Sequence, residues 1–316
     1  MTLTRRDWTK LALSALPAAN LLAADWKRQP GLELYTVRDL LPKDYEGTVA
    51  KVAEIGYKEV EPATDYGGMS PQQFRAMLDR YGLTAPSTHA PATEGPDLEK
   101  QLEGFQIMGI RYTEVRPPAR AGAAPGGAPR KAKAAAKVQP RAAAPRAATE
   151  ESVKRQAAQL NEHGKLVKKF GMKMLVHNHT EEFQPFEGST QRPYDILLAE
   201  TDPELVAMQL DIGWATVAGQ NVLEMFHKNP GRFELWHVKD ARDIKYLPPG
   251  MPESQRHRTI LLVPLGEGEV DYKPIFAAAD LAGLKHYSVE QDNAADWGDS
   301  MAAARVSYRN LMKALG

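Results

Sequence analysis

Residues 173–183 read KMLVHNHTEEF, an apolar run that ends in two histidines and two glutamates. A short apolar run of this kind is typical of a buried strand. Titratable side chains are rarely buried without partners, because an unpaired charge in an apolar interior is costly. The stretch therefore predicts a buried strand whose carboxyl end carries polar side chains with a functional role.

The same unit recurs along the chain. Short apolar runs alternate with amphipathic helical stretches, and the predicted strands cover residues 32–37, 57–63, 85–90, 110–116, 173–179, 206–213, 233–240 and 286–292. Strands that alternate with helices at this spacing favour parallel βαβ units. Eight such units predict an α/β fold of one domain, a (β/α)8 TIM barrel, which typically needs about 250 residues. No glycine-rich phosphate-binding turn follows a predicted strand, which disfavours a nucleotide-binding fold.

The first 24 residues resemble an export signal. Arg5 and Arg6 precede an apolar, alanine-rich run over residues 11–24. A twin arginine followed by a short hydrophobic segment is typical of the twin-arginine route, and the run is too short for a spanning helix. We therefore expect export to the periplasm or cell envelope, with the barrel domain over residues 25–316. The alternative is a frayed N-terminal helix with two surface arginines.

Residues 117–149 differ in composition from the rest of the chain. They are mostly Ala, Pro, Gly, Arg and Lys, with no acidic and no aromatic residue. Such a segment buries too little apolar surface to offset its ordering entropy, so we predict a disordered insertion after the fourth strand. A basic arm that touches acidic polymers is the alternative. Without the insertion, residues 25–316 leave 259 residues for the barrel.

Global composition excludes some functions. The chain has no cysteine, which excludes disulfide and thiolate chemistry. Forty basic residues balance forty acidic residues, so net charge supports neither nucleic acid nor a membrane surface as a partner. No stretch after the signal approaches the length of a membrane span.

Polar residues stand at the carboxyl ends of six predicted strands: Glu61, His89, His177, Asp211, His237 and Glu290. In a (β/α)8 barrel these ends meet on one face, where active sites are built. Carboxylates and imidazoles without thiolates suit one divalent ion, namely Mn, Mg, Co or Zn. Such an ion could hold two sugar oxygens while carboxylates transfer a proton from carbon. Each residue alone also has a structural interpretation, such as a helix cap for Asp211, a packed histidine for His237 or an ion pair with Lys239 for Glu290.

Several motifs in order resemble a known family. They include IGYKEVEPA (55–63), HNHTEEF (177–183), QLDIGWATVAG (209–219), PGRFELWHVKD (230–240) and YSVEQD (287–292). Together they are similar to the sugar phosphate isomerase/epimerase group of xylose isomerase-like barrels, in its exported twin-arginine branch. The resemblance implies a divalent metal held by Glu182, Asp211, His237 and Glu290. It also implies that Glu182 and Glu290 form the acid/base pair on opposite sides of the substrate.

Some assignments stay open at this point. His177 stands at the end of the fifth strand, so His177 or His179 is the alternative to Glu182 as the first metal ligand. The residues expected to contact substrate are His89, His177, His179, Lys239, Glu61 and Trp214.

The expected function is isomerisation or epimerisation of a small sugar. A lyase or hydratase acting on 3-keto-glycosides or related oxidised sugars is the first alternative, because both reactions begin with proton removal next to a carbonyl. An abasic-site endonuclease with several zinc ions and a non-catalytic sugar-binding protein are the others. No nucleic-acid partner is expected, and the sequence leaves formation of a homo-oligomer open.

Overall fold

A computed structural model describes residues 26–118, 148–248, 251, 255–256 and 259–316 of the 316-residue chain. The predicted export signal over residues 1–24 lies outside the described residues. So does the predicted insertion, apart from its ends at 117–118 and 148–149. Among the described residues, no helix is both long and apolar enough to span a bilayer.

Short parallel strands form the wall of the barrel. They are β1 (Gly31–Glu33), β2 (Glu59–Glu61), β4 (Tyr112–Thr113), β6 (Lys173–His177), β7 (Val206–Asp211), β8 (Leu235–Val238) and β11 (His286–Val289). Their order in the seven-stranded sheet is β2-β1-β11-β8-β7-β6-β4. Strand β3 (Ala92–Thr93) pairs in parallel with β5 (Val115–Arg116), and β9 (Asp240–Arg242) pairs antiparallel with β10 (Leu261–Val263).

Isolated backbone pairs close the barrel between β2 and β4. Thr84 pairs with Glu59 on β2, and Ser87 pairs with Tyr112 on β4. Residues 84–87 therefore occupy the place of the predicted third strand without forming a continuous ladder. Pro86 explains this, because proline has no N–H to donate to a neighbouring strand. The predicted (β/α)8 barrel is confirmed.

Helices cover the outside of the barrel. They are α1 (Tyr45–Ile55), α2 (Pro71–Tyr81), α3 (Leu98–Met108), α4 (Glu150–Lys168), α5 (Pro193–Glu200), α6 (Ile212–Val217), α7 (Val222–Lys228), α8 (Tyr272–Ala277), α9 (Ala279–Ala282) and α10 (Ser300–Leu315). Local sequence sets their ends. Ser70 caps α2 in a reciprocal capping box with Gln73, and Gly82 ends that helix in the left-handed region at φ 63°.

Side chains that point into the barrel form layers along its axis. At the amino-terminal end, His286 Nδ1 lies 2.9 Å from Glu59 Oε1, and Arg111 reaches the other ring nitrogen of His286 at 3.0 Å. Above this network an apolar layer is made by Tyr112, Leu175, Ala207 and Leu235. Because successive strand residues alternate between the two faces, the next inward residues after Leu175 and Leu235 are His177 and His237. The packing thus directs titratable side chains to the carboxyl end.

The connection after β8 is held by one buried carboxylate. Asp240 accepts hydrogen bonds from the backbone N–H groups of Ala241, Gly266, Gly268 and Val270 at 2.9–3.1 Å. Gly268 is required at its position, since an added Cβ would lie 2.0 Å from Asp240 Oδ1. The GEG segment at 266–268 is thereby fixed beside the β9–β10 ribbon.

Asp240→Asn is expected to lower the free energy of unfolding by about 1–3 kcal/mol, because an amide nitrogen would replace an acceptor for buried N–H donors. Urea denaturation followed by circular dichroism measures the change. Asp280→Asn, on the exposed surface of α9, is the control and should leave the transition unchanged. Equal stability of the two variants would contradict the anchoring role of Asp240.

Candidate active site at the carboxyl ends of the strands

His237 is the centre of the polar cluster in the barrel mouth. Its Nε2 lies 2.6 Å from Glu61 Oε2, and its Nδ1 lies 2.8 Å from Glu290 Oε2 and 3.7 Å from Glu33 Oε2. All four side chains are buried. The imidazole therefore joins carboxylates from three other strand ends, β1, β2 and β11.

Lys239 supplies a second buried cation. Its Nζ lies 2.6 Å from Asp292 Oδ2, 3.0 Å from Glu290 Oε2 and 3.2 Å from Asp211 Oδ2. The ammonium also lies 4.7 Å from the centre of the Trp214 ring, a cation–π contact. Glu290 is thus held between the imidazole of His237 and the ammonium of Lys239.

His89 and Gln209 fill the opposite side of the mouth. His89 Nε2 lies 2.6 Å from Gln209 Oε1, and the amide of Gln209 donates to Glu61 Oε1 at 2.8 Å. His89 Nδ1 lies 3.5 Å from Glu114 Oε1. Glu61 therefore receives His237 on one oxygen and Gln209 on the other.

His177 lies among the other ring systems of the mouth. Its ring centre is 4.6 Å from that of His237 and 5.0 Å from that of His89, and its Nε2 is 4.0 Å from Asp211 Oδ2. Its Nδ1 is buried, and no described residue forms a hydrogen bond to it. An unsatisfied buried nitrogen is uncommon and indicates a position for a ligand.

Asp211 is fixed by its neighbours. Its Oδ1 accepts from the N–H of Trp214 at 2.7 Å and so caps α6, and Asn178 exchanges hydrogen bonds with its main chain. Its other oxygen, Oδ2, is the one that faces Lys239 and His177. Oδ1 of Asp211 therefore caps α6, whereas Oδ2 is the oxygen that a functional role would use.

Glu182 lies in the loop that follows β6. Its carboxylate accepts a 2.8 Å hydrogen bond from the backbone N–H of His179, within the turn that leads into the 3-10 helix Glu181–Phe183. Possible ligand atoms of Glu182 come together with those of His179 and Glu181. The structure does not group Glu182 with Asp211, His237 and Glu290, and its role as ligand and base stays a prediction.

The carboxylates of the mouth differ in protonation. Burial and the neighbouring charge of Glu290 raise the pKa of Glu33 well above its ordinary value. Burial also acts against ionisation of Glu290, but Lys239 and His237 outweigh it and hold its pKa well below the usual range. The environment thus shifts the pKa values of these two neighbouring carboxyl groups in opposite directions, an arrangement that separates acid and base roles.

The pKa values of the two neighbouring histidines, His177 and His237, are also shifted in opposite directions. Burial lowers the pKa of the His177 imidazole, and the neighbouring His237 and His89 add to this effect, so His177 is neutral at pH 7. Burial opposes the charge on His237, yet Glu61 and Glu33 raise its pKa well above the ordinary value. Burial raises the pKa of Asp211 to about 6, although Lys239 acts in the opposite direction.

Of the three groups of described side chains that could hold a cation, two include His237. His89, His177 and His237 each offer a nitrogen, and these atoms lie within 4.8 Å of one another; the same holds for ligand atoms of Glu33, His237 and Glu290. His237 belongs to both groups. The neutral imidazole of His177, whose buried Nδ1 has no hydrogen-bond partner among the described residues, fits a divalent ion in the mouth.

Sequence reasoning missed Glu33, Gln209, Glu114 and Asp292. Glu33 sits in the run LEL, where a single acid in an apolar strand reads as the solvent face of a half-buried sheet. The predicted strand covered residues 32–37, so Glu33 stood near its start, whereas the structure ends β1 at Glu33 and continues in a 3-10 helix over Leu34–Val37. Gln209 lies two residues before Asp211 and so faces the same way along β7.

A family model described as xylose isomerase-like TIM barrel matches residues 49–307. The chain belongs to this family. A structure titled a sugar phosphate isomerase/epimerase from Parabacteroides distasonis superposes with a TM-score of 0.63 at 20% identity, covering 93% of this chain and 97% of that protein. A xylose isomerase-like TIM barrel protein from Mycobacterium smegmatis in complex with magnesium gives a TM-score of 0.57 at 13% identity, covering 93% and 97%. These similarities to solved structures show the fold.

Curated relatives within the xylose isomerase-like family carry the name inosose dehydratase. The protein of that name from Geobacillus kaustophilus is 27% identical over 264 residues, which cover 78% of this chain and 80% of the relative. Other matches of the same name are shorter, and there the chain spans about half the length of the curated relative. The family includes enzymes with isomerase/epimerase and dehydratase names.

Proposed function

We propose that this xylose isomerase-like protein is a divalent-metal-dependent isomerase or epimerase of a small sugar, which acts by removing a proton next to a carbonyl group. One observation carries the proposal: Glu290 Oε2 lies 2.8 Å from His237 Nδ1 and 3.0 Å from Lys239 Nζ at the barrel mouth, beside Glu33, whose pKa burial raises. This arrangement provides a base, an acid and a positive charge within one small volume. Barrel enzymes place their active sites at this end.

The residues divide the reaction among them. Glu290 accepts the proton from the carbon next to the carbonyl, and the electron pair of the broken C–H bond moves toward the carbonyl oxygen. Lys239, whose Nζ lies 3.0 Å from Glu290 Oε2, supplies a positive charge for the carbonyl oxygen that becomes negative. Return of the proton to the former carbonyl carbon, with transfer of the adjacent hydroxyl proton to the former carbonyl oxygen, gives isomerisation. Return of the proton to the other face of the same carbon gives epimerisation.

The metal would be held by residues around His237. The two groups of possible ligands contribute Glu33 and Glu290 from one side and His89 and His177 from the other. A bound divalent ion supplies polarisation of the sugar carbonyl. Imidazole ligands suit Zn or Co better than Mg, which prefers oxygen ligands. Among Mn, Mg, Co and Zn, the site therefore favours Zn or Co. The resemblance adds Asp211 and Glu182, and the second base is assigned to Glu182 on that ground.

Dehydration is the second candidate, and the curated relatives favour it. An inosose dehydratase aligned over 78% of this chain suggests the same first step with a different ending, in which a hydroxyl group leaves the adjacent carbon as water. Glu33, whose pKa is raised by burial and by the charge of Glu290, is the carboxyl group that we assign to protonating that leaving hydroxyl group. The predicted export of the protein further suggests an unphosphorylated sugar or glycoside as substrate.

Elemental analysis of the purified protein is expected to find close to one divalent ion per chain, and Asp211→Asn is expected to lose it. Incubation with ketoses and 3-keto-glucosides in D2O should then place deuterium on the carbon next to the carbonyl. Deuterium with no loss of water or aglycone supports the isomerase or epimerase, whereas elimination supports the lyase. Two or three zinc ions per chain would favour a nuclease, and no exchange on any sugar would contradict the proposed chemistry.

A further inference from the structure

A side slot opens through the barrel wall next to the mouth. We define it by Glu114, Arg116, Gln156, Gln159, His163 and His177, which line a cavity of about 400 Å³ together with His89 and His179. Its volume is within the range of about 300–1,000 Å³ found for small-molecule pockets. The side slot begins at the histidines of the candidate site and runs outward to α4.

The strand pairing explains why the wall is open here. Strand β4 pairs with β6 only at Tyr112 and Thr113. Two residues later the chain pairs with β3 instead, where Val115 lies opposite Ala92. Residues 114–116 therefore separate from the carboxyl end of β6, and the gap between them connects the mouth with the outer helix layer.

The outer end of the side slot is polar and ordered. Gln156, Gln159 and His163 recur at helical spacing, so they lie on one face of α4. Glu94 holds two of them, because its Oε1 lies 3.0 Å from the amide of Gln159 and 3.0 Å from Nε2 of His163. The floor between the two ends is apolar and is lined by Val115, Leu160, Met174, Leu175 and Val176.

The inner end of the side slot reaches the imidazole of His177, which is also a candidate ligand of the metal ion. The side chain of His177 is only 9% exposed, and its buried Nδ1 receives no hydrogen bond from any described residue. A polar atom of this kind at the junction of the mouth and the side slot is expected to meet a bound group.

We infer that the side slot binds the second sugar ring of a glycoside whose first ring reacts in the mouth, so that the substrate is a disaccharide-like molecule. The inference rests on the proposed function, since it takes the reacting ring to lie beside His237 and Glu290. Amide, imidazole and guanidinium groups at the rim suit hydroxyl groups, and the lining residues that the structure describes include no phenyl or indole ring for an aromatic aglycone.

The test measures binding and needs no turnover. Saturation-transfer NMR titrations of the full chain use methyl β-glucoside as the one-ring probe and cellobiose, maltose and trehalose as two-ring probes. At least one disaccharide should bind about tenfold more tightly than the glucoside, as expected for one or two added hydrogen bonds. Equal affinity for all four probes, or no binding of any disaccharide, would overturn the inference.

Gln156→Trp should fill the side slot and reduce the affinity of that disaccharide about tenfold, to the level of the glucoside, whose own affinity stays the same. Ala158→Trp places the same indole on the exposed surface of the same helix, outside the cavity lining, and should change neither affinity. Equal losses in the two variants would overturn the role of the side slot. The exchange experiment in D2O tests the proposed chemistry separately, because a one-ring ketose is sufficient for it.

Discussion

Glu290→Gln is expected to reduce turnover about 10²–10⁴-fold, the range by which a positioned general base accelerates proton transfer. The amide keeps the volume of the side chain but cannot accept the proton. Incubation with the sugar in D2O, followed by proton NMR, measures the slower incorporation of solvent deuterium directly. The variant should still bind substrate, because the groups around it in the mouth stay in place.

Two further variants make the result for Glu290 specific. Glu224→Gln changes a carboxylate that is exposed on α7 and should leave turnover unchanged. Glu182→Gln tests the second base that the family resemblance assigns to Glu182. A fall in turnover by Glu182→Gln as large as that by Glu290→Gln would establish two essential carboxylates. Turnover of Glu290→Gln within tenfold of the native protein, with an unchanged melting curve, would exclude Glu290 as the base.

Lys239→Met is expected to lower the free energy of unfolding by about 3–5 kcal/mol, since removal of one partner leaves buried charge uncompensated. Lys239 is only 1% exposed and lies within 3.2 Å of carboxylate oxygens from Asp211, Glu290 and Asp292. Urea denaturation in the presence of a chelator measures the loss. Added Zn²⁺ or Co²⁺ should restore part of it, because a bound cation neutralises the same carboxylates.

Lys154→Met is the matched control for Lys239→Met. Lys154 pairs with Glu150 on the exposed surface of α4, where ion pairs contribute little to stability. It should unfold at the same urea concentration as the native protein. A Lys239→Met variant as stable as this control would show that the three carboxylates are neutral in the folded protein.

The sequence could predict the barrel and much of the mouth for the same reason. Asp211, His237 and Glu290 end strands of strong apolar character, and parallel strands bring their carboxyl ends to one face. Glu33 and Gln209 could not be selected so easily, because an isolated polar residue inside a strand does not reveal which face it takes. The face that each side chain takes depends on the residue that it contacts across the barrel, and local sequence does not identify that residue.

Other features depend on long-range pairing. Pro86 gave a signal against a continuous third strand, but the bridging pairs of Thr84 and Ser87 depend on β2 and β4 lying on both sides. The motif containing Glu182 identified the residue but could not show where its carboxylate points. In the structure that carboxylate accepts a hydrogen bond from the His179 N–H of the same loop. The side slot follows from a change of pairing partner between Thr113 and Val115, which no local pattern reports.

The apolar layer formed by Tyr112, Leu175, Ala207 and Leu235 has a consequence for isotope experiments. It lies between the charged network around Glu59 and His286 and the carboxylates of the mouth. Of its four side chains, only Tyr112 carries a hydrogen-bonding group, and that hydroxyl donates to Glu234. We therefore expect a proton held by Glu290 to exchange with bulk water from the mouth or the side slot. Occupation of both by a bulky substrate would favour internal return, so the product should carry less than one solvent deuterium per turnover.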